Sequence, residues 1–205
     1  MYTPRAFVID DPAALDALFA HDPFVTLTTV GAEGVPFATH LPVLYRRDGD
    51  QVFIEGHWAR PNPQTAHDGT ALMIVHGPHS YVSPGWYVDK AVAARVPTWN
   101  YTGAHLRGRL ERFDDDASLA DLVARTSAHF ESRIGGDWAF DMDDARERRQ
   151  LRGIVGFRFH VESVVVKHKL NQNHPAANRI AVADALADGD DDDRAIAALM
   201  RAIDP

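Results

Sequence analysis

Short apolar runs, most of them separated by Gly, Asp or Pro, set the first half of the chain. A capped helical turn is predicted near Asp11 to Ala20. After it, "PFVTLTTV" (23–30) reads as a strand, "GAEG" as a turn and "VPFATHLPVLY" (35–45) as the next strand. "RRDGDQ" turns again before the strand "VFIEGH" (52–57), so antiparallel hairpins are expected. "ARPNPQTAHDGT" breaks the ladder, because closely spaced prolines withhold N–H donors. "ALMIVHG" and "SYVSP" read as two more strands, and "TWNYTGAHLRGRLERF" (98–113) as one long strand.

From Asp114 the period lengthens. Leu119, Leu122, Val123 and Phe130 carry the spacing of an amphipathic helix. "MDDARERRQLRG" reads as a second, more polar helix, and "IVGFRFHVESVVVKHKL" as a late strand. The tail reads as two short helices around an acidic break, "DGDDDD", taken as a solvated turn and N-cap. The sum is six or seven strands, then helices, a late strand and a helical tail. That is an α+β, mainly β chain: an antiparallel barrel with appended helices. Its main domain is expected over 1–175, with a helical insertion at about 114–152 and a tail over 176–205.

Composition narrows the chemistry. The chain has 205 residues, enough to bury a real core, and no cysteine, which excludes disulfides, thiolate metal sites and cysteine nucleophiles. A formal net charge of −8 works against broad binding to a phosphate backbone, although a local patch stays open to DNA. "MYTPRAFVIDDP" lacks the apolar core of a signal peptide, and no run approaches a membrane span. A soluble, cytoplasmic protein is expected.

Four segments carry candidate chemistry. In "GHWARPNPQT" (56–65), Arg60, Asn62, Gln64 and Thr65 suit the phosphate tail of a nucleotide-like ligand; the same residues also read as a Pro-capped turn with Arg60 on the surface. In "THLPVLY", a proline inside a strand pattern marks an edge or a bulge, and His40 to Pro42 could offer backbone amide groups to a flat heterocycle. Ser80 to Tyr101 holds two of the four Trp and three of the five Tyr around a small, charged middle, "DKAVAAR". Those aromatics suit ring stacking, a subunit interface or plain core packing. "KHKLNQN" (167–173) is a polar cluster that suits a ligand floor or a turn into the tail. "HGPH" has no recognisable metal geometry, and no HExxH, GxSxG, P-loop or GxGxxG occurs. No metal site and no catalytic residue is assigned.

Together, "MYTPRAF", "THLP", "GHWARPNPQ", "GPHSYVSPGWY", "VPTWNYTGAHLRG" and "KLNQN" resemble the PaiB-like, FMN-binding negative transcriptional regulators, in order over about residues 1 to 180. Asn171 stands where a Ser is expected in that pattern, and His174 where a basic residue is expected. The resemblance implies an FMN-binding split barrel related to pyridoxamine-phosphate-oxidase-like flavoproteins. It implies a homodimer with flavin in clefts at the interface, and a loop, "VDKAVAAR", over the site. Carried over, Arg60, Asn62 and Gln64 would meet the phosphate and ribityl chain, with His57 and Ala59 in the same segment. His40, Leu41 and Pro42 would line the ring. Ser83, Trp86, Trp99 and Asn100 would come from the aromatic segment, and Lys169, Gln172 and Asn173 from the late strand. The implied function is negative transcriptional regulation. The alternatives are an FMN-dependent oxidoreductase of the pyridoxamine-phosphate-oxidase-like group and a haem-binding or haem-degrading split-barrel protein.

Overall fold

Val25, Leu27 and Thr29 are buried while Phe24 and Val30 are exposed, so the first predicted strand forms with the period of two written in its sequence. A computed structural model describes residues 1–67 and 69–203. Its strands are β1 (Val8–Ile9), β2 (Phe24–Val30), β3 (Pro36–Pro42), β4 (Leu44–Asp48), β5 (Gln51–Ala59), β6 (Thr70–Val82), β7 (Thr98–Phe113) and β8 (Ile154–Lys169). Its helices are α1 (Pro12–His21), α2 (Asp116–Ile134), α3 (Ala145–Gln150), α4 (Ala176–Leu186) and α5 (Asp191–Arg201). The strands form one sheet in the order β3-β2-β6-β7-β8-β5-β4, with β1 paired to β8. The pairs β2–β3, β2–β6, β4–β5, β5–β8 and β1–β8 are antiparallel, as expected.

Two strand readings change. The run 35–45 splits, because β3 stops at Pro42 and β4 begins at Leu44. Val43 between them is buried and donates its N–H to the Pro23 carbonyl at 3.1 Å. β3 and β4 are the two ends of the strand order, and Pro36 and Pro42 sit on an edge strand, where a missing N–H costs least. The predicted strands "ALMIVHG" and "SYVSP" instead join as β6. Ala71, Met73 and Val75 are buried, then Pro78, Ser80 and Val82, so the inward phase moves from odd to even numbers at Gly77–Pro78. One extra residue in a strand does this, and a sequence reading sees it as a break. Gly77 is required there, since a Cβ would lie 2.1 Å from Thr102 Oγ1 and 2.5 Å from Leu18.

The chain divides into two units. One comprises Asp22–Val75 and His105–Val164. Its core includes Leu27, Ile54, Trp58, Phe157 and Phe159, with the Trp58 and Phe157 rings 4.5 Å apart. Each such buried side chain contributes about 1.5–3 kcal/mol. Leu119 and Leu122, one turn apart on α2, are buried as well. That helix starts where Asp115 accepts from the Ser118 N–H and ends at Gly135, whose φ of 72° closes the last turn.

The other unit comprises Met1–His21, His76–Ala104 and Val165–Pro205. Val182, Ala183 and Leu186 of α4 and Ile196, Ala197 and Met200 of α5 share a core with Val82, Tyr87 and Leu170. The acidic break does cap α5: Asp190 and Asp193 form a capping box. Its carboxylates also do more than face solvent. Ser80 donates to Asp193 at 2.5 Å, and Asp192 lies 3.1 Å from the His79 ring. At the far end of α5, Arg179 donates to the carbonyls of Met200 and Ile203.

Candidate cofactor site

In the unit of 22–75 and 105–164, β5 delivers Trp58 to the core and then runs into a 3-10 turn at Pro63–Ala66. Asn62 caps that turn, its Oδ1 accepting from the Gln64 N–H at 2.9 Å. Its Nδ2 donates to Thr39 Oγ1 on β3 at 3.0 Å. The Pro42 carbonyl oxygen would lie 3.2 Å from a Cβ on Gly56. The two predicted segments, His40–Pro42 and His57–Gln64, are thus brought together by Asn62 and by a glycine.

Individual roles differ. His57 is half-buried on the face of β5 opposite Trp58, and neither ring nitrogen has a hydrogen-bond partner among the described residues. Burial holds its pKa below the usual histidine value, so the ring is neutral and can donate through one nitrogen and accept through the other. Arg60 donates through Nε to the Arg152 carbonyl at 2.8 Å, through Nη2 to Ile154 at 2.9 Å and through Nη1 to Asp114 at 3.2 Å. Two of its five N–H groups remain. Gln64 is fully buried and internally satisfied. Its Oε1 accepts from the Trp58 indole at 2.9 Å, and its Nε2 donates to Leu27 O, Thr29 Oγ1 and Phe37 O. Gln64 therefore braces the turn rather than facing a ligand, which corrects the sequence expectation. Thr29 Oγ1, which accepts from Gln64, also lies 2.8 Å from His67 Nδ1. His40 is exposed, within 3.0 Å of Thr26 Oγ1 and stacked on Phe24. Leu41 belongs to the core; Pro42 and Ala59 are exposed strand ends.

In the other unit, the aromatic and late-strand candidates separate. Trp99 is 52% exposed, while Asn100 is fully buried and reaches Met200 Sδ at 3.3 Å. Neighbours on a strand face opposite ways, so these two cannot share one ligand surface. The Asn100 Oδ1 is without a hydrogen-bond partner among the described residues. Ser83 caps the turn Pro84–Trp86 by accepting from the Gly85 N–H, and Trp86 packs on the α4–α5 core. Gln172 closes its own turn, accepting from Leu170 N and donating to His168 O, both at 2.6 Å. Asn173 is exposed, and Lys169 donates to the Trp99 carbonyl at 2.6 Å and to Thr98 Oγ1. The expected loop, "VDKAVAAR", is held by an ion pair between Asp89 and Arg95, which keeps Asp89 down at about 2.

Sequence reading missed a cleft of about 1120 Å³ on the unit of 22–75 and 105–164, lined by β4, β5, β8 and α2. Glu55 accepts from Arg125 at 2.7 Å and Arg158 at 3.1 Å at its floor. Arg158 and His160 share Glu111, which holds that carboxyl below its ordinary value. None of the predicted residues lines this cleft. Its ion pairs join residues some 50 to 100 positions apart, and no spacing motif announces them.

Over 191 residues the chain is 29% identical to the protease synthase and sporulation protein PAI 2 of Bacillus subtilis, covering 91% of this chain and 89% of that relative. Two solved structures share its fold. One is described as a putative 5-nitroimidazole antibiotic resistance protein of Bacteroides thetaiotaomicron, with TM-score 0.58 and 12% identity, covering 78% of this chain and 85% of that one. The other is the FAD and haem binding protein of Mycobacterium smegmatis, with TM-score 0.57 and 20% identity, covering 79% and 73%. The expected antiparallel split barrel with appended helices is therefore the fold. No helix among the described residues is long and apolar enough to cross a membrane. With residues 1–163 matching its model, the chain belongs to the family described as "Putative FMN-binding domain".

Proposed function

We propose that this protein is an FMN-binding negative transcriptional regulator, acting as a cytoplasmic homodimer with the flavin at the subunit interface. The observation that carries the reading is the match to an FMN-binding domain over residues 1–163, joined by the likeness to PAI 2 over nearly the whole chain. The donor set at the end of β5 fits such a group. His57 is half-buried with both ring nitrogens unpartnered among the described residues, and Asn62 and Arg60 keep spare N–H groups beside a turn braced from within. His57, Asn62 and Arg60 would hold the polar tail of FMN, and His40 to Pro42 would lie along its ring. FMN itself supplies reversible electron acceptance; the protein binds and orients it. In this reading the flavin domain spans 1–175 and the segment 176–205 is its tail.

Absorption spectra of the purified protein with and without added FMN, with sizing of the same sample, test the reading. A flavin band that travels with a dimer is the expected result, followed by a salt-sensitive, sequence-dependent gel shift. Absence of bound flavin at micromolar FMN overturns it. Flavin turnover with NADH and no gel shift would replace regulation by an FMN-dependent oxidoreductase.

A further inference from the structure

Arg95 stands on the loop 88–97, between the turn Pro84–Trp86 and β7. Its guanidinium grips Asp89 of the same loop, with Nε donating to Oδ1 at 2.9 Å and Nη2 paired with Oδ2. Its remaining arm leaves the loop: Nη1 lies 3.3 Å from Nδ1 of His174, on the turn that leads into α4. An arginine can only donate, so Nδ1 is the acceptor and carries no proton. The His174 ring also stacks on Tyr87, with centroids 5.0 Å apart and planes 10° apart. The Arg95 guanidinium lies 5.5 Å from the same Tyr87 ring, which is buried.

Little else ties down the outer part of the loop. Val88 donates its N–H to Asn178 of α4 at 3.0 Å, while the bonds from the Val92 and Ala93 N–H groups return to Asp89 within the loop. Lys90 reaches back to Gly85 in the preceding turn. Among the described residues, Arg95 to His174 is the one side-chain hydrogen bond from 90–97 to a segment beyond this loop and that turn.

That bond needs a neutral histidine. A protonated ring has two N–H donors and no acceptor, and it sets a positive charge against the guanidinium. The charged groups facing His174 are Arg95 and Asp89 of the loop and Lys169 of β8. Asp89 favours the charged ring, but burial, Arg95 and Lys169 oppose it, and the pKa lies below the ordinary histidine value. The contact is therefore fully present above about pH 6.5 and is lost as the pH falls through the lowered value. Asp89, held at about 2, stays ionised throughout, so acid acts on the histidine.

We propose that His174 is an acid-released catch for the loop 88–97. The neutral ring holds Arg95 and with it the loop; the protonated ring lets both go and uncovers Tyr87. The catch lies within the unit of 1–21, 76–104 and 165–205 and needs no bound ligand.

The chain has no cysteine, so Val92→Cys, at a loop position that is 89% exposed, takes a single nitroxide label. Electron paramagnetic resonance of the full-length protein without FMN reads the ratio of mobile to immobile loop. That ratio should rise about tenfold between pH 7.5 and 5.0, the scale of one hydrogen bond to a charged group. His174→Gln in the same background keeps an acceptor that does not titrate and should hold the ratio low at both pH values. His174→Lys carries a positive charge at both and should hold it high. A label equally mobile at both pH values with native His174, or a glutamine variant that responds to acid as the native chain does, overturns the catch. Loss of the far-UV circular dichroism signal together with the mobility change overturns it as well, since the loop then moves only with the whole fold.

Discussion

Asn171 donates its side-chain N–H to the Tyr87 hydroxyl at 3.1 Å, with both residues buried. Asn171 is also the one non-glycine residue with positive φ, 61°, among those described. Asn tolerates the left-handed region better than Ser, so the departure from the expected motif has a local reason. Asn171→Ala should cost about 2–4 kcal/mol, from an orphaned hydroxyl and a strained backbone. Asn171→Gly loses only the hydrogen bond and should be about 1 kcal/mol more stable than the alanine variant. Urea midpoints of the two variants check the order; the reverse order would remove backbone strain from the account.

Gln64 joins β5, β2 and β3 through one amide. Gln64→Leu leaves the Trp58 indole N–H without its partner and should lose at least about 2 kcal/mol. Gln64→Glu keeps the acceptor but sets a carboxylate against the Leu27 and Phe37 carbonyls, so at pH 7 it should unfold at lower urea than the leucine variant. A glutamate variant equal to wild type would refute the brace.

His57 carries the opposite expectation. Among the described residues it has no hydrogen-bond partner to lose, so His57→Leu should leave thermal stability unchanged or raised. FMN affinity should fall about tenfold, the scale of one hydrogen bond. Flavin fluorescence titration beside a melting curve reads both. Unchanged FMN affinity would take His57 out of the site.

Three histidines are held below their ordinary pKa: His57 and His168 by burial, His174 by burial and then by the charge of Arg95. Below about pH 6.5 the unfolded chain therefore binds more protons at these positions than the folded one. Their contribution to stability is fully present above that pH and is lost as the pH falls through the lowered folded values. Urea midpoints should drop between pH 7.5 and 5.5, and His57→Leu should flatten that slope. A midpoint that rises on acidification would contradict the sign.

Much of the fold was legible in the sequence because its cues are local. Thr98–Phe113 was read end to end, since an uninterrupted period of two over a long strand has no competing explanation. The amphipathic helix after Asp114 was equally plain. The break at Val43 and the continuity of β6 were not, because a corner and a bulge depend on what lies across the sheet. Among site candidates, the segment around Asn62 was legible as a turn, but Gln64 and Ser83 are amides and hydroxyls whose partners decide between ligand and brace.

The sequence by itself determined the order of strands and helices and, by its ordered motifs, the family. Short-range periodicity and turn chemistry act within a few residues, so they survive without a structure. Only the tertiary structure decided which polar side chains remain available to a ligand. Gln64 has used its hydrogen bonds, and among the described residues His57 has made none. Whether a buried donor is satisfied depends on atoms far away in the chain, and no local pattern records them.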